Sequence, residues 1–240
     1  MRVVAFNSSP RGNETSKTEL VLQKFLEGAA RAGAVTETIY LRNYRIRNCL
    51  GCFACWLKTP GRCIQQDDMT EELFDRLLQA DLAVLATPLY HFTLNARLKA
   101  FIERTLPMNQ PFFMDTGRQT THPYRFEKVP RVVALSVCGF PEPAHFKALS
   151  LTMQMIFGPL LVAEIYRHSS EFLPIPHPQI VPQAAKVLAA VARAGEEVVE
   201  NGKVSKGTLK AVTQDLAPRE VLIKLANEHF KQELGRLSQE

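Results

Sequence analysis

Val3–Thr18, VVAFNSSPRGNETSKT, opens the chain: an apolar run stops in a loop crowded with hydroxyls and one arginine, and the loop runs directly into a helical pattern. A buried strand, a polar turn and a helix start in that order leave few folds open. They also build an anion seat, because the first N–H groups of a helix have no partner within it and point outward at the positive end of its dipole. Ser8, Ser9, Thr15, Ser16 and Thr18 add hydroxyl donors and Arg11 adds a fixed guanidinium fork, so a phosphate monoester is the expected guest. An ordinary βα turn with a Ser/Thr cap has the same composition, and these residues alone leave that alternative open. The sequence contains neither G-x-x-x-x-G-K-S/T nor G-x-G-x-x-G, which excludes a Walker loop and the dinucleotide fingerprint.

Strand and helix patterns then alternate along the chain. Val3–Phe6, Val35–Leu41, Leu82–Ala86, Val132–Val137 and Leu160–Tyr166 read as strands. Between them, Leu22, Phe25, Leu26, Ala29 and Ala30 recur at helical spacing up to Gly33. Asp68 and Glu71 have the capping-box spacing ahead of Met69, Leu73, Leu77 and Leu78, and Asn95 opens a helix that turns Leu98, Phe101 and Ile102 inward. A further helix is expected around Ala144–Phe157. This alternation predicts an α/β fold, a five-stranded parallel sheet with helices on both faces. The polar loops follow strands one, three and four, which suits the flavodoxin-like order 2-1-3-4-5 with a ligand where the order reverses.

The chain reads as one domain over 1–240, with a core of about 1–202, an insertion at 107–130 and a helical tail at 203–240. The insertion has no clear period, four prolines and the aromatics Phe112, Phe113, Tyr124 and Phe126, and is expected to arm the site or a second subunit. Gln183–Val199 is amphipathic, and Val221, Leu222, Leu225, Phe230, Leu234 and Leu237 stripe a last helix that suits core or dimer packing. The net charge of +5 favours anionic ligands but is too small to argue for nucleic acid. No apolar run approaches the ~18 residues of a membrane span, and the opening is not a secretory signal, so a cytoplasmic protein is expected. In that reducing compartment the five cysteines are not expected to form structural disulfides.

Four of those cysteines share one loop, NCLGCFACWLKTPGRC: Cys49, Cys52, Cys55 and Cys63 at C-x2-C-x2-C-x7-C spacing. The spacing puts four sulfurs within reach of one centre, as in iron–sulfur sites. Zinc and a set of free or redox-active thiols remain alternatives on the same residues. Arg42, Arg45, Arg47, Lys58 and Arg62 flank the loop and would balance an anionic cluster or a cofactor phosphate.

Ser8-Ser9-Pro10-Arg11, Thr87-Pro88-x-Tyr90 and Leu98-Lys99-x-Phe101 in this order resemble the NADPH-dependent FMN reductases of flavodoxin-like fold. With the cysteine loop followed by Asp67-Asp68-Met69, the resemblance is to the iron–sulfur flavoproteins within that group, over about residues 1–165. It implies FMN held without a covalent bond, its phosphate on Ser9, Arg11, Asn13, Thr15 and Ser16. Pro88, Leu89, Tyr90, His91 and Phe92 would line the ribityl chain and ring, and Ser136, Val137, Cys138, Gly139 and Phe140 the other edge. His91 is a candidate proton donor. The resemblance also implies an oxidoreductase that takes electrons from NAD(P)H or a redox partner. They would pass to a quinone, another small acceptor or a [4Fe-4S] cluster on the four cysteines, in a homodimer or homotetramer. An FMN-binding electron carrier and a cysteine-based redox or metal sensor are the rival readings. The sequence departs from the family pattern in having Ser8 for the usual glycine, Cys138-Gly139 for Gly-Gly, and Glu103-Arg104 for Asp-Arg.

Overall fold

The computed structural model describes residues 1–12, 15–117 and 119–238, and Asn13, expected in the phosphate loop, lies outside them. In chain order the elements are β1 (Arg2–Asn7), α1 (Lys17–Arg31), β2 (Val35–Tyr40), α2 (Ala54–Leu57), α3 (Phe74–Leu78), β3 (Leu82–Pro88) and α4 (Ala96–Glu103). They continue with β4 (Met114–Asp115), β5 (Thr120–Thr121), β6 (Arg131–Val137), α5 (Lys147–Phe157), β7 (Leu161–Arg167), α6 (Ile180–Asn201), α7 (Lys206–Val212) and α8 (Arg219–Leu237).

β1, β2, β3, β6 and β7 form the expected five-stranded parallel sheet, in the order β2-β1-β3-β6-β7. Counting only these strands, that is 2-1-3-4-5, and the fold is flavodoxin-like. The period of two in each strand divides the core. Val3 and Ala5 of β1 pack under α1 and α6 with Leu22, Phe25, Val187 and Val191, whereas Val4 and Phe6 pack on the other face with Leu73, Leu98 and Phe101. Phe6 and Phe101 meet with ring centroids 4.6 Å apart. Both faces of β1, β3 and β6 are thus dry, which is why these strands read as continuous apolar runs.

Helix ends follow local chemistry where the sequence supplies it. Ser16 caps α1 by accepting from Glu19 N–H, and Asn95 caps α4 by accepting from Leu98 N–H. Gly33 (φ +85°) and Gly202 (φ +70°) end α1 and α6 in the left-handed region that only glycine enters cheaply. The Asp68 capping box does not form. Asp68 is already helical and makes no side-chain cap bond, its carboxylate accepts from Arg45 N–H at 2.6 Å, and Met69–Leu73 winds as a wider π turn before α3. Asp67 takes the helix-start role instead, accepting from Thr70 N–H at 3.3 Å.

The insertion is more regular than its composition suggests. β4 and β5 pair as a short antiparallel hairpin, and Asn109 bridges Tyr124. His122 from this segment lies against Trp56 (4.8 Å) and Phe113 (5.3 Å), and Trp56 stacks on Phe53 (5.0 Å), so the hairpin rests on the cysteine loop. In the tail, Val212, Leu216, Ala217 and Leu222 join the core under α6, while Phe230, Leu234 and Leu237 of α8 are exposed.

Candidate functional site

The carboxyl ends of β1, β3, β6 and β7 open onto one cavity of about 90 Å³, room for about three waters. Ser9, Arg11, Ser16, Lys17 and Thr18 line it from the first loop, Pro88, Leu89 and Tyr90 from the loop after β3, Val137, Cys138 and Gly139 from that after β6, and Ser170 and Glu171 from that after β7. The site therefore stands where the strand order reverses, between β1 and β3.

Backbone and hydroxyl bonds hold the first loop in place. Ser8 N–H and Oγ both donate to the Ala86 carbonyl (2.9 and 3.0 Å), Ser9 N–H donates to Asn7 Oδ1 (2.9 Å), and Asn95 Nδ2 donates to the Ser8 carbonyl (2.7 Å). Ser16 Oγ accepts from Glu19 N–H (3.1 Å) and donates to Ser9 Oγ (2.9 Å). The cap thus satisfies Glu19, and by helix geometry the N–H groups of Lys17 and Thr18 are left for a guest. Under the loop, buried Glu19 accepts from Asn7 Nδ2, Gln23 (2.6 Å) and Tyr40 (2.8 Å), which fixes the start of α1 against β1 and β2. Hydroxyls, helix N–H groups, a guanidinium and an ammonium form a donor set that fits a phosphate monoester.

The second loop folds back at Tyr90–Thr93, whose N–H groups each donate to the other's carbonyl at 3.0 Å. Both residues between them are left-handed, His91 at φ +45° and Phe92 at φ +66°, the pattern of a type I′ turn. Neither residue carries glycine's freedom, so the turn is strained, as backbone at functional sites often is. The strain puts His91 and Phe92 at an exposed tip, outside the cavity. Phe92 stacks on His145 (5.7 Å, 12°), and His145 stacks on Phe140 (4.5 Å, 13°). A flat platform of exposed Phe92 and Phe140 with half-buried His145 between them thus stands at the strand ends, with Tyr90 45% exposed at the cavity.

Of the residues expected in the phosphate loop, Ser9, Arg11 and Ser16 line the cavity; Thr15 is exposed outside it, donating to the Gly12 carbonyl at 3.4 Å. Ser136 is fully buried on the α4–α5 side of β6, and its Oγ has no partner. The alternation of the strand turns it away from Val137, which does reach the cavity. Cys138 is buried, and desolvation pushes its thiol up to about 11, so it stays neutral. Lys17, and Ser170 and Glu171 of the loop after β7, line the cavity at positions that the sequence patterns do not single out. Ser170 N–H and Oγ donate to the Cys138 carbonyl (2.8 and 3.0 Å), tying that loop to the one after β6. The signal for it is positional: a run His168-Ser169-Ser170-Glu171 directly after a strand of a parallel sheet.

The four-cysteine loop lies apart from this cavity. Cys55 is buried, Cys49 and Cys63 are half-buried and Cys52 is exposed. Burial pushes the Cys55 thiol up, and its neighbours Cys63, Cys49 and Cys52 reinforce that shift. Among the described residues, no three His, Cys, Asp or Glu side chains stand in an arrangement that could hold a metal ion. The thiols are the right donor type for a cluster, but as arranged they do not form one's cage. Beneath the loop, Arg104 pairs with Asp67 through both guanidinium nitrogens (Nη1–Oδ2 2.7 Å, Nη2–Oδ1 2.9 Å), and Nη1 also donates to the Arg47 carbonyl (2.9 Å).

The model of the family "NADPH-dependent FMN reductase" matches residues 1–117. An iron-sulfur flavoprotein of Archaeoglobus fulgidus is 33% identical over 109 residues, 45% of this chain and 46% of that protein. An FMN-dependent NADH:quinone oxidoreductase of Pseudomonas fluorescens is 32% identical over 129 residues, 49% of this chain and 63% of that protein. The chain thus spans about half the length of the iron-sulfur flavoproteins it matches. Among solved structures, an NAD(P)H:quinone oxidoreductase from Methanothermobacter marburgensis superposes with a TM-score of 0.59 at 18% identity, over 82% of this chain and 96% of that one, a likeness of fold. No helix of the described residues is long and apolar enough to cross a membrane. Through residues 1–117, from β1 to the head of the β4–β5 hairpin, the chain is similar to the NADPH-dependent FMN reductases.

Proposed function

We propose that the chain is an FMN-dependent oxidoreductase that takes electrons from NAD(P)H and passes them to a quinone or another small acceptor. The observation that carries this reading is the single cavity in which the loops after β1, β3, β6 and β7 gather a phosphate-binding donor set beside an exposed aromatic platform. Ser9, Ser16, Lys17, Thr18 and Arg11 would hold the phosphate. Pro88, Leu89 and Tyr90 on one side, and Cys138 and Gly139 on the other, would line the ribityl chain. The ring would lie outward toward Phe92 and Phe140. Bound flavin supplies the redox chemistry, accepting a hydride and releasing electrons in pairs or singly. The protein's share is to orient it, keep one face open to a nicotinamide, and leave the Cys138 thiol neutral beside it. His91, at the exposed tip, is the proposed proton donor at the ring. Assembly as a homodimer or homotetramer belongs to the same reading, and exposed Phe230, Leu234 and Leu237 on α8 are apolar surface suited to it.

The test is flavin titration of the purified protein, followed by steady-state oxidation of NADH and NADPH with a quinone. Flavin binding with turnover is expected; flavin binding without turnover would make the chain an electron carrier. Arg11→Ala should weaken FMN at least about tenfold, the cost of one charge-assisted contact to phosphate, and should leave riboflavin binding unchanged.

A finer reading concerns the cysteine loop. The spacing and the names of the relatives favour a [4Fe-4S] cluster on Cys49, Cys52, Cys55 and Cys63, although the thiols as arranged do not form its cage. Anaerobic purification with iron and acid-labile sulfide assays decides it. Four irons per chain, lost in Cys55→Ser, would establish the cluster. A flavin spectrum with no iron would leave redox-active thiols as the role of this loop.

A further inference from the structure

Glu171 occupies the anion seat. β7 ends at Arg167, Ser169 enters the left-handed region (φ +52°), and Ser170–Phe172 make one 3₁₀ turn that brings the chain back over the first loop. The backbone on either side of Glu171 is fixed, by the two Ser170 bonds to Cys138 and by buried Phe172. The Glu171 side chain itself is half-exposed and reaches across the cavity. Its Oε1 lies 3.2 Å from Arg11 Nη1 and its Oε2 3.7 Å from Lys17 Nζ, at the N-terminus of α1. It passes directly over Gly139, where a Cβ would meet Glu171 Cγ at 3.4 Å. One carboxylate therefore takes both cations that the phosphate of a bound flavin would need.

We propose that Glu171 is a built-in phosphate mimic that sets the chain's selectivity for phosphorylated over unphosphorylated flavin and keeps FMN exchangeable. The inference rests on the FMN reading above. A phosphate dianion and this carboxylate cannot both sit between Arg11 and Lys17 without strong like-charge repulsion. Binding FMN must rotate Glu171 outward, and because the side chain is half-exposed and its backbone is anchored, a rotamer change suffices. The cost falls on the phosphate alone, since riboflavin lacks the group that competes for the seat.

The experiment compares FMN and riboflavin binding to the wild-type chain, Glu171→Gln and Glu171→Ala by fluorescence quenching, with inorganic phosphate as a competitor. Glu171→Gln keeps the shape and removes the charge, and should tighten FMN about tenfold while riboflavin stays within about twofold. Inorganic phosphate should compete with FMN at correspondingly lower concentration in the variant. Glu171→Ala should behave the same way, which separates loss of charge from a folding defect in one variant. The inference is overturned if the wild type binds FMN and neither variant binds it tighter, or if riboflavin tightens in parallel with FMN. If no protein of the set binds FMN, the flavin reading fails with it.

Discussion

Asp67→Ala lowers the stability of this protein by about 3–5 kcal/mol, the cost of leaving a buried guanidinium without its carboxylate. The Arg104 and Asp67 side chains are 1% and 0% exposed, and between them they satisfy Arg47 N–H, the Arg47 carbonyl and Thr70 Oγ1. Removing Asp67 strands Arg104, whose Nε already lacks a partner, and frees the segment that leads from the cysteine loop into α3. Replacing the pair together, with Asp67→Leu and Arg104→Met, should recover most of the loss, because an apolar pair of similar size escapes the desolvation of two charges. Urea midpoints of the two single variants and the double variant at neutral pH test this; single and double losses that simply add would refute the coupling. The pair also fixes the sign of the pH dependence. Burial pushes Asp67 up, but the Arg104 guanidinium and the Arg47 and Thr70 N–H groups outweigh it and hold its pKa below the usual 3.8. Its stabilisation is present in full above the unfolded value and is lost as pH falls through the lower folded value. Acid unfolding of the wild type should therefore show a component below pH ~4 that Asp67→Asn lacks.

The sheet was legible because its three inner strands, β1, β3 and β6, are buried on both faces, and continuous apolar runs are hard to read as anything else. The positions of the loops followed from the strands, and Ser9, Arg11, Ser16, Pro88, Leu89, Tyr90, Cys138 and Gly139 all reach one cavity. Residues that lie off this cavity, and local patterns that did not form, have separate physical causes. Ser136 faces the opposite side of β6 from Val137, a consequence of strand alternation that residue type alone does not reveal. His91 and Phe92 are swung outward by a left-handed turn made of residues that seldom adopt it. Asp68 has the right spacing for a helix cap, but its neighbour Asp67 is drawn into the core by Arg104, more than thirty residues away, and tertiary pairing overrides the local pattern. The β4–β5 hairpin carries no alternation to read. Its strands are two residues long and side chains close its turn, Asp115 accepting from Gly117 N–H at 2.8 Å and Thr116 Oγ1 donating to the Gln119 carbonyl at 2.8 Å.

The same substitution should have opposite signs at two kinds of helical glycine. Gly28 on α1 and Gly195 on α6 let the two helices cross almost backbone to backbone. A Cβ at Gly28 would fall 1.7 Å from the Ala192 carbonyl oxygen, and one at Gly195 would fall 2.0 Å from that of Phe25. Both obstacles are backbone, so neither can move without moving a helix. Alanine gains about 1 kcal/mol of helix propensity over glycine. Here that gain is swamped, because parting α1 from α6 opens the packing of Phe25, Ala29, Val191 and Ala194 in a core with no slack. Gly28→Ala and Gly195→Ala are each expected to cost more than about 3 kcal/mol, at or beyond the upper end of ordinary overpacking. Since α1 carries Ser16, Lys17 and Thr18 at its N-terminus, flavin affinity should fall with stability, even though neither glycine touches the site. Gly235 on α8 is the control: a Cβ there would meet nothing within 4 Å, and Gly235→Ala should raise stability by up to about 1 kcal/mol. Denaturant midpoints of the three variants decide the matter. A Gly28→Ala protein as stable as the wild type would mean that α1 and α6 do not meet at these glycines, and the placement of the proposed phosphate loop at the start of α1 would lose its support.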